Sequence, residues 1–229
     1  MKNGSVLVVA AHADDEALGC GGTLARYAAE GRDVHVLILA DGESSRTGLP
    51  TADSDALVKV RNYAAIKAGE VLGCKSVECI GLPDNRLDGF DLLDIVKHVE
   101  KAMSEVSPRT VLTHHIGDVN VDHRVIHEAV LAATRPQIGN PVKELMFFEV
   151  PSSTEWAPSG SLLAFIPNCF IDISETFEIK RKALEVYSNE MRPFPHPRSL
   201  QAVEALAQWR GATVGVAAAE AFVIGRSIL

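Results

Sequence analysis

Residues 6–16 read Val6-Leu7-Val8-Val9-Ala10-Ala11-His12-Ala13-Asp14-Asp15-Glu16. Six apolar residues, rich in β-branched valine, make a short buried strand. The character then reverses within one residue, to an imidazole and three carboxylates. In an open parallel α/β sheet, ligands gather beyond the carboxyl ends of the strands, which is where this group falls. Adjacent carboxylates repel and resist joint ionisation unless a cation stands among them. The His-x-x-Asp spacing lets His12 and Asp15 turn towards one centre and leaves Asp14 beside it as a free carboxylate. The plainer alternative is an acidic cap on the following helix, favoured by its dipole.

From this strand onward, apolar runs alternate with amphipathic stretches, the pattern of stacked βα units. Helices are expected over Ala17–Glu30, closed by Gly31, and over Asp55–Leu72, where Leu57, Val60, Ala64, Ala68 and Val71 keep helical spacing. Two more are expected over Asp91–Val106 and Asp122–Thr134, with strands at Val34–Ala40, Val77–Ile80 and Thr110–Thr113. Later the pattern changes. Strands at Glu144–Val150 and Cys169–Ile173 flank a Pro/Ser/Gly-rich loop that contains Trp156. Ser174–Asn189 reads as a helix with Ser174 as N-cap, and the run Arg192-Pro193-Phe194-Pro195-His196-Pro197 cannot be helical. Ser199–Arg210 is a helix ended by Gly211, and Ala219–Ile228 fits either a strand or a helix. No repeat or linker interrupts the chain. The expectation is one α/β domain over residues 1–229, in three layers, with a mostly parallel, Rossmann-like sheet and helices on both faces.

Composition narrows the function. The 229 residues carry a formal net charge of −8, with 47 % hydrophobic and 23 % charged side chains, which excludes a disordered chain. A chain of this length buries roughly 70–75 % of its unfolded surface and needs neither disulfide nor metal to fold. Neutralising nucleic-acid phosphates takes clustered Lys and Arg, and no such cluster exists, so nucleic acid is not expected as a partner. Cys20, Cys74, Cys79 and Cys169 form no CxxC pair and read as reduced, mostly buried thiols. The run Val6–Ala11 is too short for an export signal, and no stretch approaches the roughly 20 apolar residues of a membrane span. A soluble cytoplasmic protein is expected.

A second polar batch follows the fourth expected strand: His114-His115-Ile116-Gly117-Asp118-Val119-Asn120-Val121-Asp122-His123. Two such batches at strand ends can build a site of three ligands, His12, Asp15 and one later His, with an open fourth position suited to catalytic zinc. His123 and His127 share one helix face at i, i+4. His123, at the loop-to-helix junction, is the better candidate, because His127 lies about two turns in and faces neighbouring structure.

These residues carry a resemblance. His12-Ala13-Asp14-Asp15-Glu16 resembles the HPDDE signature of the zinc N-deacetylases of the PIG-L/LmbE family, with Ala13 at the usual proline. Gly19-Cys20-Gly21-Gly22-Thr23 is similar to the small-residue turn that follows it. Asp41-Gly42-Glu43, Pro83-Asp84-Asn85 and Asp122-His123 match further segments in order, over roughly residues 5–135, and the downstream region resembles the bacterial sugar-deacetylase branch. The resemblance implies His12, Asp15 and His123 as zinc ligands and Asp14 as general base. It implies removal of an N-acetyl group from an amino sugar or glycoconjugate by water activated at the metal, and a homo-oligomer, trimeric or hexameric. A His/His/Asp site also accepts other divalent transition metals.

The chain departs from many members by carrying Asn120 three residues before the metal His, where they have a second His. Either Asn120 donates to the developing oxyanion, or His196 in its rigid proline-rich loop does, with His115 a nearer alternative. Asp118 or Asp122 is expected to accept an imidazole hydrogen bond. Asp84, Arg61 and Arg46 are the candidate substrate contacts: Asp84 for a sugar hydroxyl, Arg46 for an anionic aglycone. Their plain readings are a turn residue, a solvated helix arginine and loop charge, and Arg61 lacks the family's Glu at position 64, which is Ala64. Trp156 could stack on a sugar face.

Two other readings compete. A dinucleotide-binding protein would use the glycines at 19–22 and Asp41, but its third glycine falls on Leu24, and Asp14 to Glu16 would repel a pyrophosphate. A non-catalytic metal-binding protein on the same scaffold is compatible with Asn120, but gives Asp14 no task.

Overall fold

A computed structural model describes residues 4–46, 51–158 and 163–228, with residues 51–54 as backbone only. In chain order the elements are β1 (Val6–Ala10), α1 (Asp15–Ala29), β2 (Val34–Ala40), α2 (Thr51–Leu72), β3 (Ser76–Leu82), α3 (Leu92–Val106), β4 (Thr110–His114) and α4 (Val121–Ala133). They continue with β5 (Glu144–Phe148), β6 (Cys169–Asp172), α5 (Phe177–Val186), α6 (Leu200–Ala212) and β7 (Ala219–Ser227). Short 3-10 turns at Leu87–Gly89 and Thr154–Trp156 complete them.

The strands form one sheet in the order β3-β2-β1-β4-β5-β7-β6. Strands β1 to β5 run parallel, and β7 runs antiparallel to both β5 and β6. The order reverses direction at β1, so the crevice between the ends of β1 and β4 is the switch point of the fold. Register places Val6 beside Thr110 and Val9 beside Thr113. The chain therefore leaves both strands side by side, one carrying His12 and the other His115.

Strand period sorts β1 between two cores. Val6, Val8 and Ala10 pack with α1, α2 and α5, while Leu7, Val9 and Ala11 pack with Ile95, Val99, Ile126 and Val130 of α3 and α4. The expected layers are present. The last segment, which fitted strand or helix, is strand β7.

Three local expectations are corrected. Residues 19–23 lie within the helix expected over 17–30, and the small-residue turn there is a kink inside α1, where Cys20 leaves helical geometry at φ −146°. Contact requires the glycines: a Cβ on Gly19 would stand 2.3 Å from the Phe148 ring, and one on Gly22 2.8 Å from Ile173. The second half of the helix starts afresh, with the N–H groups of Gly22 and Thr23 donating to the Glu220 carboxylate at 3.0 and 2.7 Å. Lys180 locks the kink by donating to Leu18 O at 2.8 Å and to Glu220 at 2.6 Å. Next, Ser174 does not cap α5, which begins at Phe177; its Oγ donates instead to Asp172 at 2.6 Å. Finally, α6 runs one residue past Gly211, to Ala212, and the glycine answers a close approach instead: a Cβ there would meet the Val216 carbonyl at 2.6 Å. Among the described residues no helix is long and apolar enough to cross a membrane.

Candidate metal centre and active site

His12 leaves β1 and turns back at once. Its N–H donates to Asp15 Oδ2 at 2.9 Å and its carbonyl accepts from Asp15 N at 3.2 Å. This tight loop lays His12 Nδ1 3.3 Å from the same Oδ2. From across the switch point, His123 arrives on the first turn of α4. Asn120 caps that helix, its Oδ1 accepting from the N–H groups of Asp122 and His123. His123 Nε2 then lies 3.2 Å from Asp15 Oδ2. One donor atom from each of His12, Asp15 and His123 lies within 4.8 Å of the other two, and all three residues are buried. Donors held 2.0–2.1 Å from a tetrahedral zinc stand about 3.3 Å from one another, so the spacing fits. So does the chemistry: among the described residues Asp15 Oδ1 and His123 Nε2 are buried without a hydrogen-bond partner, and two imidazoles with a carboxylate suit zinc and its transition-metal neighbours.

The far nitrogens of both rings are anchored. His12 Nε2 lies 2.8 Å from Asp84 Oδ1 and 3.2 Å from Asp122 Oδ2, and Asp122 is itself held by the N–H groups of Asn85 and Leu87. His123 Nδ1 lies 3.1 Å from Asp118, whose carboxylate also accepts from the hydroxyls of Ser153 and Thr154. With its proton directed at a carboxylate, each imidazole presents the other nitrogen to a metal. Asp122 is hydrogen-bonded to the His12 ring, and Asp118 faces the His123 ring at ion-pair distance. His114 is a neutral wedge: burial holds its pKa well below the ordinary value, Ala11 N–H donates to its Nε2 at 2.8 Å, and it stacks on His123 at 3.8 Å. His127 turns away, with Nδ1 2.9 Å from His114 O.

Asp14 sits at the N-cap position of α1, yet its side chain makes no capping bond. Its φ of 123° is strained for a residue with a Cβ. Glu16 holds that strain by accepting the Asp14 N–H at 3.1 Å, and Tyr187 Oη donates to Glu16 at 2.6 Å. The carboxylate is fully buried, with Oδ2 accepting from Arg198 Nη1 at 2.8 Å and Oδ1 without a hydrogen-bond partner among the described residues.

Burial opposes charge on every one of these groups, and the neighbours decide the outcome. Against burial, the rings of His123, His12 and His114 hold Asp15 well below the usual carboxylate range. Against burial again, the surrounding carboxylates raise His12 well above its ordinary value and His123 to about 9. Asp84 and Asp118 fall to about 2 beside these rings despite burial. Asp14 remains raised: burial and the Asp15 charge push it up, and Arg198 and Arg61 offset them only in part. A divalent cation replaces the imidazole protons when it binds.

The other residues singled out in the sequence are placed as follows. Arg61 is not a solvated helix arginine. It is buried beneath the site, where it donates to Ala13 O, Gly42 O and Glu43, with Glu190 3.5 Å away. Position 64 needs no Glu because Glu43 and Glu190 supply its counter-charges. Arg46 pairs with the same two glutamates at the surface. Asp84 is a buried partner of His12 and of Ser45 rather than an exposed turn residue. Asn120 Nδ2 donates to Asn85 Oδ1 at 3.3 Å. His115 Nε2 lies 2.8 Å from Leu163 O, and the His196 ring meets exposed Trp156 edge-on at 6.0 Å. Arg198, Glu190 and Tyr187 were not found from the sequence. For Arg198 the one signal was its position directly after the rigid proline run that drew attention to His196.

This geometry has a counterpart. A family model described as PIG-L, GlcNAc-PI de-N-acetylase, matches residues 7–134, more than half of the chain. The chain belongs to the PIG-L family. Among curated PIG-L relatives it is 28 % identical over 193 residues to "Uncharacterized deacetylase YaiS" of Escherichia coli, covering 82 % of this chain and 92 % of that one. It is 26 % identical to a probable N-acetyl-alpha-D-glucosaminyl L-malate deacetylase 2 of Bacillus anthracis, covering 83 % of each. It is also 28 % identical to the 4-oxalmesaconate hydratase of Pseudomonas putida, over 81 % of this chain and 74 % of that one. The solved structure of protein TT1542 from Thermus thermophilus superimposes with a TM-score of 0.76 at 29 % identity, over 98 % of this chain and 96 % of that one. All three donors and Asp14 lie inside the PIG-L match, whereas Arg198, Ser153, Thr154 and Tyr187 lie beyond it.

Proposed function

We propose that this chain is a metal-dependent hydrolase that removes the acetyl group from an N-acetylated amino sugar or N-acetylglucosaminyl conjugate, releasing acetate and a free amine. The observation that carries the reading is a buried carboxylate, Asp14, which binds no helix end and keeps one free oxygen beside a two-His, one-Asp donor group. Family membership and the deacetylase names of the relatives support it. His12, Asp15 and His123 would hold the metal, zinc in this reading. When bound, it polarises the amide carbonyl and eases deprotonation of water. Asp14 acts as general base: Oδ1 takes a proton as the water oxygen bonds to the acyl carbon and the carbonyl electron pair moves onto oxygen. The C–N bond then breaks with its pair going to nitrogen, and Asp14 returns the proton there. Asp84 and Asp118 keep the two ligand rings turned inward. Asn120, at the helix cap, and His196, beside Trp156, are the proposed oxyanion contacts, and Arg46 at the rim is the contact for an anionic aglycone. Assembly into a trimer or hexamer belongs to the same proposal.

The test is amine and acetate release from a panel of N-acetylated sugars, using metal-stripped protein and protein reloaded with zinc. Zinc-dependent release is expected. Kinship with the hydratase supplies the contrary outcome: water addition in a 4-oxalmesaconate assay with no acetate from any sugar would overturn the deacetylase reading.

A further inference from the structure

The two oxygens of Asp14 are treated differently. Oδ2 accepts from Arg198 Nη1 at 2.8 Å, while Oδ1 is buried with no hydrogen-bond partner among the described residues. A guanidinium can grip both oxygens of a carboxylate at once, and here it grips one. The reason lies at its other end, where Arg198 Nε donates to Ser152 Oγ at 2.6 Å. Ser152 begins the turn whose next two hydroxyls, on Ser153 and Thr154, donate to Asp118, and Asp118 holds His123. Arg198 thus joins Asp14 to the frame of a ligand histidine. Arg61 cannot substitute. Its donors are engaged by Ala13 O, Gly42 O and Glu43, and its Nη2 comes no nearer to Asp14 than 3.8 Å, beyond hydrogen-bond reach.

We propose that Arg198 is a positioning residue for the acid–base carboxylate. By engaging Oδ2 it fixes the rotation of the Asp14 carboxyl plane and reserves Oδ1 as the oxygen that exchanges protons with water and with the leaving nitrogen. This inference rests on the deacetylase reading. Its consequence is that a residue 184 positions away in sequence sets the geometry of the base.

The test uses the full chain reloaded with zinc, as wild type, Arg198→Met, Arg198→Lys and Ser152→Ala, on the N-acetylated sugar that the wild type hydrolyses best. Arg198→Met is expected to lose about 100-fold in kcat, the scale of a misplaced catalytic group, with KM and zinc content unchanged. Added guanidinium ion at millimolar concentration is expected to restore about tenfold of that loss, which a merely structural arginine would not allow. Arg198→Lys keeps a cation near Oδ2 and should fall between, and Ser152→Ala, which only loosens Arg198, should lose about three- to tenfold. Full kcat in Arg198→Met, or in Arg198→Lys should the methionine variant fail to fold, overturns the inference alone. So does a loss accompanied by loss of zinc and untouched by guanidinium. Silence of the wild type on every sugar overturns the deacetylase reading and this inference with it.

Discussion

Replacing Asp118 by Asn tests whether the frame behind His123 governs metal affinity. The Asp118 carboxylate lies 3.1 Å from His123 Nδ1 and is fully buried at its side chain. Burial alone would raise its pKa, but the His123 ring and the hydroxyls of Ser153 and Thr154 hold it at about 2, against an ordinary 3.8. The net of these opposing effects favours the charged carboxylate by on the order of 2 kcal/mol, so the contacts that hold the charge outweigh burial by that much. Asparagine keeps the shape and can still accept from the hydroxyls, but it cannot stabilise the partial positive charge that a metal-bound imidazole carries. Zinc affinity is therefore expected to fall about 10- to 100-fold, the range for partners of ligand histidines. Competition against a chromophoric chelator at pH 7.5 reads the dissociation constant, with circular dichroism confirming the fold. A constant within about threefold of wild type would refute the argument that this carboxylate orients the ring.

Further outcomes follow from the same geometry. Asp14→Asn should retain zinc and lose at least about 100-fold in turnover, since proton transfer by a placed group contributes that much; metal analysis beside kcat checks it. Removing the metal with a chelator should abolish hydrolysis, and zinc should restore it, as followed by acetate release. Glu16 is pushed by burial to about 7 from an ordinary 4.5. An acid with a raised folded pKa binds more protons folded than unfolded, so stability falls as pH rises from about 4.5 to 7. Glu16→Gln should remove that slope and stabilise the protein at pH 8 by up to about 3 kcal/mol, with no gain at pH 4, as read from urea melts. Gly22→Ala should destabilise by about 1–3 kcal/mol or more, because its Cβ would meet Ile173 at 2.8 Å; thermal melting reads the loss.

The layers and the grouping of His12, Asp15 and His123 were legible from residues 6–134 because both depend on short-range pattern. The apolar run of β1 and the spacing of α3 each announce their element, and strand ends in a parallel sheet have one place to put their polar residues. What escaped was long-range or depended on contact. The glycines near residue 20 read as a turn because composition cannot distinguish a bend from close approach to Phe148. Arg61 read as solvated because the glutamates that bury its charge lie 18 residues before it and 129 after it. Likewise nothing local announces that Glu220, near the chain end, receives the N–H groups of Gly22 and Thr23.

The antiparallel end of the sheet gives the molecule a division of labour. Residues 7–134 carry the proposed metal donors and base together with the carboxylates that face the two rings, while further restraints come later: Thr154 behind Asp118, Tyr187 behind Glu16, Arg198 on Asp14, and Lys180 with Glu220 at the kink of α1. The proposed reactive groups and part of what restrains them are thus written in separate halves of the chain. Exchanging the second half between relatives would retune the base while leaving the metal donors untouched, an evolutionary and engineering route by which one donor set can serve different reactions.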